Sequence, residues 1–390
     1  MPTARLRVGA GVSRLQGSSQ AGRQAATSAM GPLGDEPPAL VLVFTTPRHD
    51  LAALLAGVRA VTGPALLVGA TTSGELALGE YLGFGAGVAV LAATAGPYRF
   101  GAASASFVRD DMDRAGQQLA RTSRDRAGPS AHAALVLLAD SLLGDLQELV
   151  HGTYRVTGPR VALVGGAAGD EQRFLRTLVF HGDQILEQGA VALWIASDLP
   201  LGAVTRHGFR PVGNPMLVTR AQGTTIMELG GRSAAAAYEE QLGLAPGALP
   251  PERFWDTSVL HPFGLRQADG TAVIRVARAR SAEGHLTIQG CLPPPGCAVQ
   301  VMTGTPDSLL AVVPEVAAEA LAVRPDAALL LAFSCAARSR ILGERAGEEP
   351  RRLQDAAGAV PTFGFYCCAE FARTAGVLGT HNATLTALAL

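Results

Sequence analysis

Three acidic residues follow apolar, strand-like segments at matching positions along the chain. The segments LLVGATTSGE, VALVGGAAGD and GFYCCAE end at Glu75, Asp170 and Glu370, and in each the apolar run closes with small residues before the acid. One acid after a strand means little, but three in matching positions indicate a repeated unit. Carboxylates just beyond the carboxyl ends of strands are well placed to meet an ammonium group of a small ligand.

Two arginines stand at the ends of other apolar runs. Arg338 closes the segment FSCAAR, and Arg48 holds the corresponding place after FTTP in the first repeat. A guanidinium group offers parallel donors that fit a carboxylate bidentately. The same charges are suited to capping helices, or to pairing with one another and holding the repeats together. The residues alone leave both interpretations open.

Small, polar and aromatic residues at the strand ends extend the candidate site. Small side chains let a ligand approach the backbone, and a tyrosine ring can stack over it, although an aromatic residue in an apolar strand also suits a core, and an asparagine before a strand also suits a turn. The further candidates for ligand binding are Thr71, Thr72, Gly166, Cys335, Tyr366 and Asn382.

An enzyme is the competing hypothesis. Cys335 follows a strand and is itself followed by small residues, so it could act as a nucleophile with His381 as base and Glu370 as orienting acid. No spacing in the sequence requires this set. The GxSxG, HExxH, Walker and GxGxxG signatures do not occur in the sequence. The interpretation preferred here is a binding protein without catalysis, and no cofactor is expected.

The elements that position these residues alternate between strands and helices. This alternation predicts a mixed, largely layered α/β fold built from repeated β-α-β units, in two pseudo-repeated domains. Turn signals near 181–183 and 221–223 predict two antiparallel hairpins. Strands are predicted at 5–12, 40–46, 66–72, 87–94, 134–140, 161–165, 189–196, 271–280, 285–291 and 297–302, and helices at 18–30, 48–62, 110–124, 142–152, 232–242 and 306–323, with a loop at 243–252.

Composition excludes several classes of function. The chain has 390 residues, of which 48% are hydrophobic and 17% charged, as in a folded globular protein. All 32 basic residues are arginine, so Schiff-base chemistry and a P-loop lysine are excluded. The net charge of −1 and the scattered arginines argue against nucleic acid as a partner.

The spacing of the cysteines and the lengths of the apolar runs bear on metal sites, disulfides and membrane spans. The five cysteines, at 291, 297, 335, 367 and 368, form no CxxC pair, so neither a metal site nor a disulfide framework is expected. Every apolar run is broken before about eighteen residues, so no membrane span is expected. The arginine-rich N-terminus fits a first strand and helix better than a targeting segment. We therefore expect a cytoplasmic protein that does not bind membranes.

Taken together, the motifs resemble those of the FIST family, a two-part sensory domain of bacterial signal transduction proteins. The first part of the resemblance is carried by GATTSGE at 69–75 and by GGAAGD at 165–170 with VF at 179–180. The second part is carried by ELGG at 228–231, FSCAAR at 333–338, GFY at 364–366 with Glu370, and HN at 381–382. The resemblance covers nearly the whole chain. Residues 1–220 are assigned to a FIST N-like domain and residues 221–390 to a FIST C-like domain.

The resemblance implies the sensing of a small molecule, with amino acids or their derivatives as the proposed ligands. An amino-acid zwitterion needs one protein group of each sign. The hypothesis is therefore that Glu370 or Glu75 takes the amine while Arg338 or Arg48 takes the carboxylate. The two parts fill the 390 residues, so any signal would pass to a separate signalling protein. A ligand-free interaction scaffold is the third interpretation.

Overall fold

The computed structural model describes residues 5–267, 270–289, 295–374, 376 and 378–390. Cys291 and the end of the strand predicted at 285–291 lie outside these residues. The predicted mixed α/β fold of repeated units is confirmed, and the repeat occurs three times along the chain.

The first unit shows how the local sequence forms each element. The run LVLVFT is buried on both faces, as expected of a strand inside a layered sheet. The helix after it begins behind Asp50, whose carboxylate accepts a hydrogen bond from the backbone nitrogen of Ala53, and ends at Gly63 with a φ of 64°. The elements are β1 (Val8–Ser13), α1 (Ser18–Met30), β2 (Leu40–Thr45), α2 (Leu51–Thr62), β3 (Leu66–Thr71), β4 (Glu75–Ala77), β5 (Glu80–Tyr81) and β6 (Val88–Ala93).

The second unit repeats the same order of elements. These are β7 (Tyr98–Ala105), α3 (Met112–Ala127), β8 (His132–Ala139), α4 (Leu146–Thr157), β9 (Ala162–Ala167), β10 (Val179–His181), β11 (Gln184–Leu186) and β12 (Ala190–Ser197). The hairpin predicted near 181–183 is confirmed as the antiparallel pair β10 and β11.

The third unit begins with β13 (Gly202–Arg206) and is then interrupted by a separate sheet, here called the inserted sheet. Its elements are β14 (Arg210–Pro211), β15 (Met216–Gln222), β16 (Thr225–Leu229), β17 (Arg232–Ser233), α5 (Ala234–Gln241), α6 (Pro251–Ser258), β18 (Phe263–Arg266), β19 (Ala272–Arg275), β20 (Ala277–Arg280), β21 (Leu286–Ile288) and β22 (Ala298–Thr303). The hairpin predicted near 221–223 is confirmed as β15 and β16. The loop predicted at 243–252 ends two residues early, because Pro251 starts α6 and proline suits the first turn of a helix.

The third unit resumes with α7 (Pro306–Val323), β23 (Leu330–Cys335), α8 (Ala336–Leu342), α9 (Glu348–Ala357), β24 (Thr362–Cys367), β25 (Glu370–Ala372), β26 (Thr380–His381) and β27 (Leu385–Ala389). The helix predicted at 306–323 is confirmed as one helix, with Pro314 inside it.

Each unit contributes one hairpin to the sheet of another unit. The first sheet has the order β1-β6-β2-β3-β10-β11, the second β7-β12-β8-β9-β25-β26, and the third β13-β27-β23-β24-β4-β5. In each sheet the two central strands are parallel and the last two strands come from a different unit. The exchange closes into a cycle of three, so no unit completes its own sheet.

The core lies between the three sheets and beneath their helices. The inner faces share one apolar cluster, in which the ring of Phe44 lies 4.5 Å from that of Phe365 and 5.3 Å from that of Phe363 between centroids. The outer faces are covered by α1 and α2, by α3 and α4, and by α7 and α9. Burial on both faces explains why the strands read as continuous apolar runs.

The division predicted at 220/221 falls inside β15. The second and third sheets each combine strands from both sides of it. That division of the chain stays a prediction.

Candidate functional site

The three acid-tipped strands meet at one place, here called the strand-end junction. Its backbone is hydrogen bonded across units: the nitrogen of Ser73 donates to the oxygen of Tyr366 at 2.9 Å, and the nitrogen of Gly169 donates to the oxygen of Thr71 at 2.8 Å. A Cβ atom added to Gly169 would lie 2.5 Å from the backbone nitrogen of Ser73. The small residues therefore make room for neighbouring chain segments at this junction.

Gly166 and Thr71 have packing roles of the same kind. A Cβ atom on Gly166 would lie 2.7 Å from the Cβ of Cys367. The Thr71 hydroxyl accepts a hydrogen bond from the backbone nitrogen of Leu178 at 3.0 Å and so fixes the segment that leads into β10. Both residues are buried.

Glu75 is fully buried at the start of β4. Its Oε1 accepts a hydrogen bond from the Thr72 hydroxyl at 2.5 Å, whereas its Oε2 has no partner among the described residues. Burial raises the pKa of Glu75 to about 8, and the hydrogen bond from Thr72 opposes this rise. The side chain is therefore largely protonated near neutral pH.

Asp170 and Glu370 each accept three hydrogen bonds from neighbouring protein groups. Asp170 accepts hydrogen bonds from the nitrogens of three successive residues, 174–176, at 2.6–3.0 Å. Glu370 accepts from the nitrogen of Thr384 at 3.0 Å, from its hydroxyl at 2.7 Å and from Cys367 Sγ at 3.2 Å. Burial raises the pKa of Glu370 to about 7, against the hydrogen bonds from Thr384. Both acids hold loops that return the chain to a strand.

Arg338 pairs with Glu349, an acid that the sequence pattern did not single out. The guanidinium donates to Glu349 Oε2 at 2.6 and 2.9 Å and to the backbone oxygens of His207 and Leu309 at 2.9 Å. The two side chains are 0% and 1% exposed. Every nitrogen of this guanidinium is occupied by protein.

Arg48 likewise meets an unexpected acid, Glu171. The two form a bidentate pair at 2.8–3.0 Å, in which Arg48 is 57% exposed and Glu171 2% exposed. Glu171 also accepts from the backbone nitrogen of Gly85 at 2.7 Å. Glu171 follows Asp170 directly in sequence, so proximity to a predicted site residue was the one available signal.

Tyr366 and Asn382 lie in packed surroundings. The Tyr366 hydroxyl donates to the backbone oxygen of Ala346 at 3.3 Å, and its ring lies edge-on to that of Tyr81 at 5.1 Å. Asn382 accepts a hydrogen bond from the backbone nitrogen of Val276 at 3.2 Å and so ties the third unit to the inserted sheet.

Cys335 lines a cavity of about 20 Å³ together with Cys368, Asn382, Phe174 and Trp255. That volume holds roughly one water molecule. Burial, followed by the Glu370 charge, raises the pKa of Cys335 well above its usual value. Burial, followed by the charge of Arg275, lowers the pKa of His381 to about 3, and His381 Nε2 contacts the backbone oxygen of Ala372 at 3.1 Å. A protonated thiol is a poor nucleophile, so this geometry does not favour the Cys335 enzyme.

A larger cavity of about 550 Å³, here called the interface groove, lies between the third unit and the inserted sheet. Its walls are β13, α7, β19 and the residues Arg373, Thr374, His381 and Thr384. Arg206 and Glu319 form an ion pair on these walls, with side chains 43% and 44% exposed. Arg59–Asp183 and Arg324–Asp326 also place one charge of each sign at a cavity, but neither cavity is lined by the inserted sheet. The Arg206–Glu319 pair does so in the interface groove. Sequence reasoning missed it because α7 and β13 are about a hundred residues apart along the chain.

Two histidines line the interface groove as neutral groups near pH 7. Burial, followed by the charges of Arg338 and Arg206, lowers the pKa of His207 to about 4. The backbone nitrogen of Phe209 donates to His207 Nδ1 at 2.9 Å, which fixes the ring. With His381 also neutral, the accessible charges of the groove are those on its arginine and glutamate side chains.

Within the residues that the structure describes, no helix is long and apolar enough to cross a membrane. In the same part of the chain, no group of three or more histidine, cysteine, aspartate or glutamate side chains is arranged to hold a metal ion.

Comparisons with known proteins agree with the resemblance in the motifs. Residues 39–232 match the model of the FIST N domain, and residues 234–373 match that of the FIST C domain. The chain is 28% identical over 399 residues to Uncharacterized protein Rv0628c of Mycobacterium tuberculosis, with 97% of this chain and 98% of that protein covered. It is equally similar to Uncharacterized protein Mb0898c of Mycobacterium bovis, with 97% of each covered.

Proposed function

This chain belongs to the FIST family, whose domains are associated with sensory signal transduction, and from that premise we propose that it binds a small zwitterionic molecule, an amino acid or derivative, without catalysis. The binding site in this proposal is the interface groove. The observation that carries it is the accessible Arg206–Glu319 pair on the groove wall.

An exposed ion pair can exchange partners at low cost. Pairs of this kind contribute about 0–1 kcal/mol, since water and salt screen the charges. A ligand carboxylate can therefore replace Glu319 beside Arg206, and a ligand ammonium can replace Arg206 beside Glu319. The buried Arg338–Glu349 pair is a much poorer candidate, because separating buried charges costs about 3–5 kcal/mol.

The predicted acids and arginines have a supporting role in this proposal. Thr384 lies in the groove wall and donates twice to Glu370, so the wall is fixed to the strand-end junction. Arg338 reaches the same wall by donating to the backbone oxygen of His207. A ligand in the groove would touch both the three-unit core and the inserted sheet, and a separate signalling protein would read the change in their contact.

Calorimetry and thermal shift with a panel of amino acids test the proposal. We expect at least one amino acid to raise the melting temperature, since a ligand of the folded state stabilises it by mass action. Arg206→Ala and Glu319→Gln should each raise its Kd by about tenfold or more, because each removes a charge-assisted hydrogen bond.

Arg232→Ala is the matched control. Arg232 also forms an exposed ion pair, with Glu240, and does not line the groove, so its removal should leave Kd unchanged. No thermal shift from any amino acid would favour the ligand-free scaffold. A Kd that neither groove substitution changes would overturn the assignment of the site.

A further inference from the structure

A second cavity of about 350 Å³ adjoins the interface groove. The two share four lining residues, His207, Phe209, Thr271 and Ala272, so they lie side by side. We call this second space the apolar cavity.

The floor of the apolar cavity is a face of the inserted sheet built from small residues. Gly264 of β18, Ala272 of β19 and Ala298 of β22 line it. A Cβ atom on Gly264 would lie 2.6 Å from Met302 Sδ and would displace that flexible side chain. Larger residues at these three positions would close the cavity, so their small size keeps it open.

The walls of the apolar cavity are mainly apolar, and the charged side chain among its lining residues is Arg266, exposed at the end of β18. Phe209, Met302, Pro211 and Pro215 are apolar there, and proline has no backbone donor. The side-chain amide of Gln300 already donates to the backbone oxygen of Gly213 at 2.8 Å. This surface is suited to a hydrocarbon or aromatic substituent.

We infer that the ligand is an amino acid with a long apolar side chain, whose zwitterionic head lies between Arg206 and Glu319 and whose side chain extends past Phe209 into the apolar cavity. This inference rests on the function proposed above. The charge pair lines the interface groove, and the apolar cavity adjoins that groove at the four shared residues, so one amphipathic molecule can contact both. His207 at the boundary is neutral, which lets an apolar chain pass beside it.

A homologous series of ligands tests the inference on the full chain. The L-2-amino acids alanine, 2-aminobutyrate, norvaline, norleucine and 2-aminooctanoate share one head and differ only in chain length. Each added methylene buried in the cavity should tighten binding by about fourfold. Lysine has the chain length of norleucine but a terminal charge, and should bind much more weakly.

Three variants locate the head and the side chain of the ligand. Ala298→Trp would fill the apolar cavity and should abolish the gain with chain length while alanine binds as before. Glu319→Gln should weaken every member by the same factor and leave the chain-length dependence unchanged. Ala356→Trp, at an exposed position of α9 that lines neither cavity, is the control for a large new side chain.

The outcomes separate this inference from the function it rests on. If no amino acid binds, in this series or in the panel above, both fail. If amino acids of the panel bind and no member of the series does, the proposed function stands and the apolar side chain is refuted. If the members bind with equal affinity, or lysine matches norleucine, the proposed function stands and the apolar side chain is refuted. A chain-length dependence that survives Ala298→Trp would overturn the assignment to the apolar cavity.

Discussion

Glu75 is a buried carboxyl group with one hydrogen-bonded oxygen and one oxygen that has no partner among the described residues. Glu370 at the equivalent place accepts three hydrogen bonds, and its pKa rises to about 7 where that of Glu75 rises to about 8. The difference follows the number of donors, since hydrogen bonds to the ionised form oppose the effect of burial. Equivalent acids in a repeat thus have different chemistry.

The raised pKa of Glu75 makes the stability of the protein depend on pH. Between the ordinary glutamate pKa of 4.5 and about 8, the folded state holds a proton that the unfolded state has lost, so the free energy of unfolding falls as pH rises through this window. Glu75→Gln should flatten this fall by up to about 1.4 kcal/mol per pH unit. Urea unfolding at pH 5 to 8 measures how the free energy of unfolding depends on pH. Glu240→Gln, at the surface, is the control, and parallel curves for Glu75→Gln and wild type would contradict the prediction.

Cys335 should react slowly in the native protein. Its buried thiol has a pKa well above the usual value, so little thiolate is present at pH 7. We expect iodoacetamide to modify the half-buried Cys297 first, and Cys335 only after unfolding in urea, as read by peptide mass spectrometry. Modification of native Cys335 at the rate of an unfolded thiol would revive the nucleophile hypothesis.

At the scale of elements, local sequence patterns predicted most strands and helices. They did not predict which segments far apart in the sequence pair with one another. Helix α7 and the two hairpins followed from periodicity and turn residues. The exchange of hairpins depends on which sheet edges meet, and the pair Arg338–Glu349 depends on how α8 and α9 turn back. The small residues at strand ends were interpreted as ligand contacts because a sequence does not show which chain segment fills the space beside them.

Gly169 should tolerate no side chain, because β3 and β9 come together there. A Cβ atom would lie 2.5 Å from the backbone nitrogen of Ser73, and backbone atoms cannot turn away as a flexible side chain can. Gly169→Ala should lower the free energy of unfolding by about 1–3 kcal/mol. Gly347→Ala is the control, since nothing lies within 4 Å of its added Cβ and its φ is −68°. Equal stability of the two variants would show that the junction is looser than described.

At the scale of the whole molecule, the cyclic exchange joins the three units into one structure. Removing any unit would take a hairpin from a second unit's sheet and leave the hairpin of the remaining unit without the sheet that it joins. The inserted sheet differs, since its nine strands, as formed by the described residues, pair only with one another. Its contacts with the core are a shared apolar cluster, the exposed ion pair between Asp256 and Arg340, and hydrogen bonds such as that from Val276 to Asn382. The interface groove lies at this boundary, where a ligand can alter the contact between the core and the inserted sheet.

This arrangement predicts that the three units open together in hydrogen exchange. Regions that share hydrogen-bonded sheets cannot separate without breaking them, so the amides of β2, β8 and β23 should show one common free energy of opening, close to that of global unfolding. The strands of the inserted sheet, such as β15, should open at the same or lower free energy. Hydrogen exchange measured by mass spectrometry across a denaturant series distinguishes common opening of the three units from separate opening. A free energy of opening for β2 well below those of β8 and β23 would mean that the first unit unfolds alone. The pairing of β4 with the third sheet and of β10 with the first sheet does not permit this.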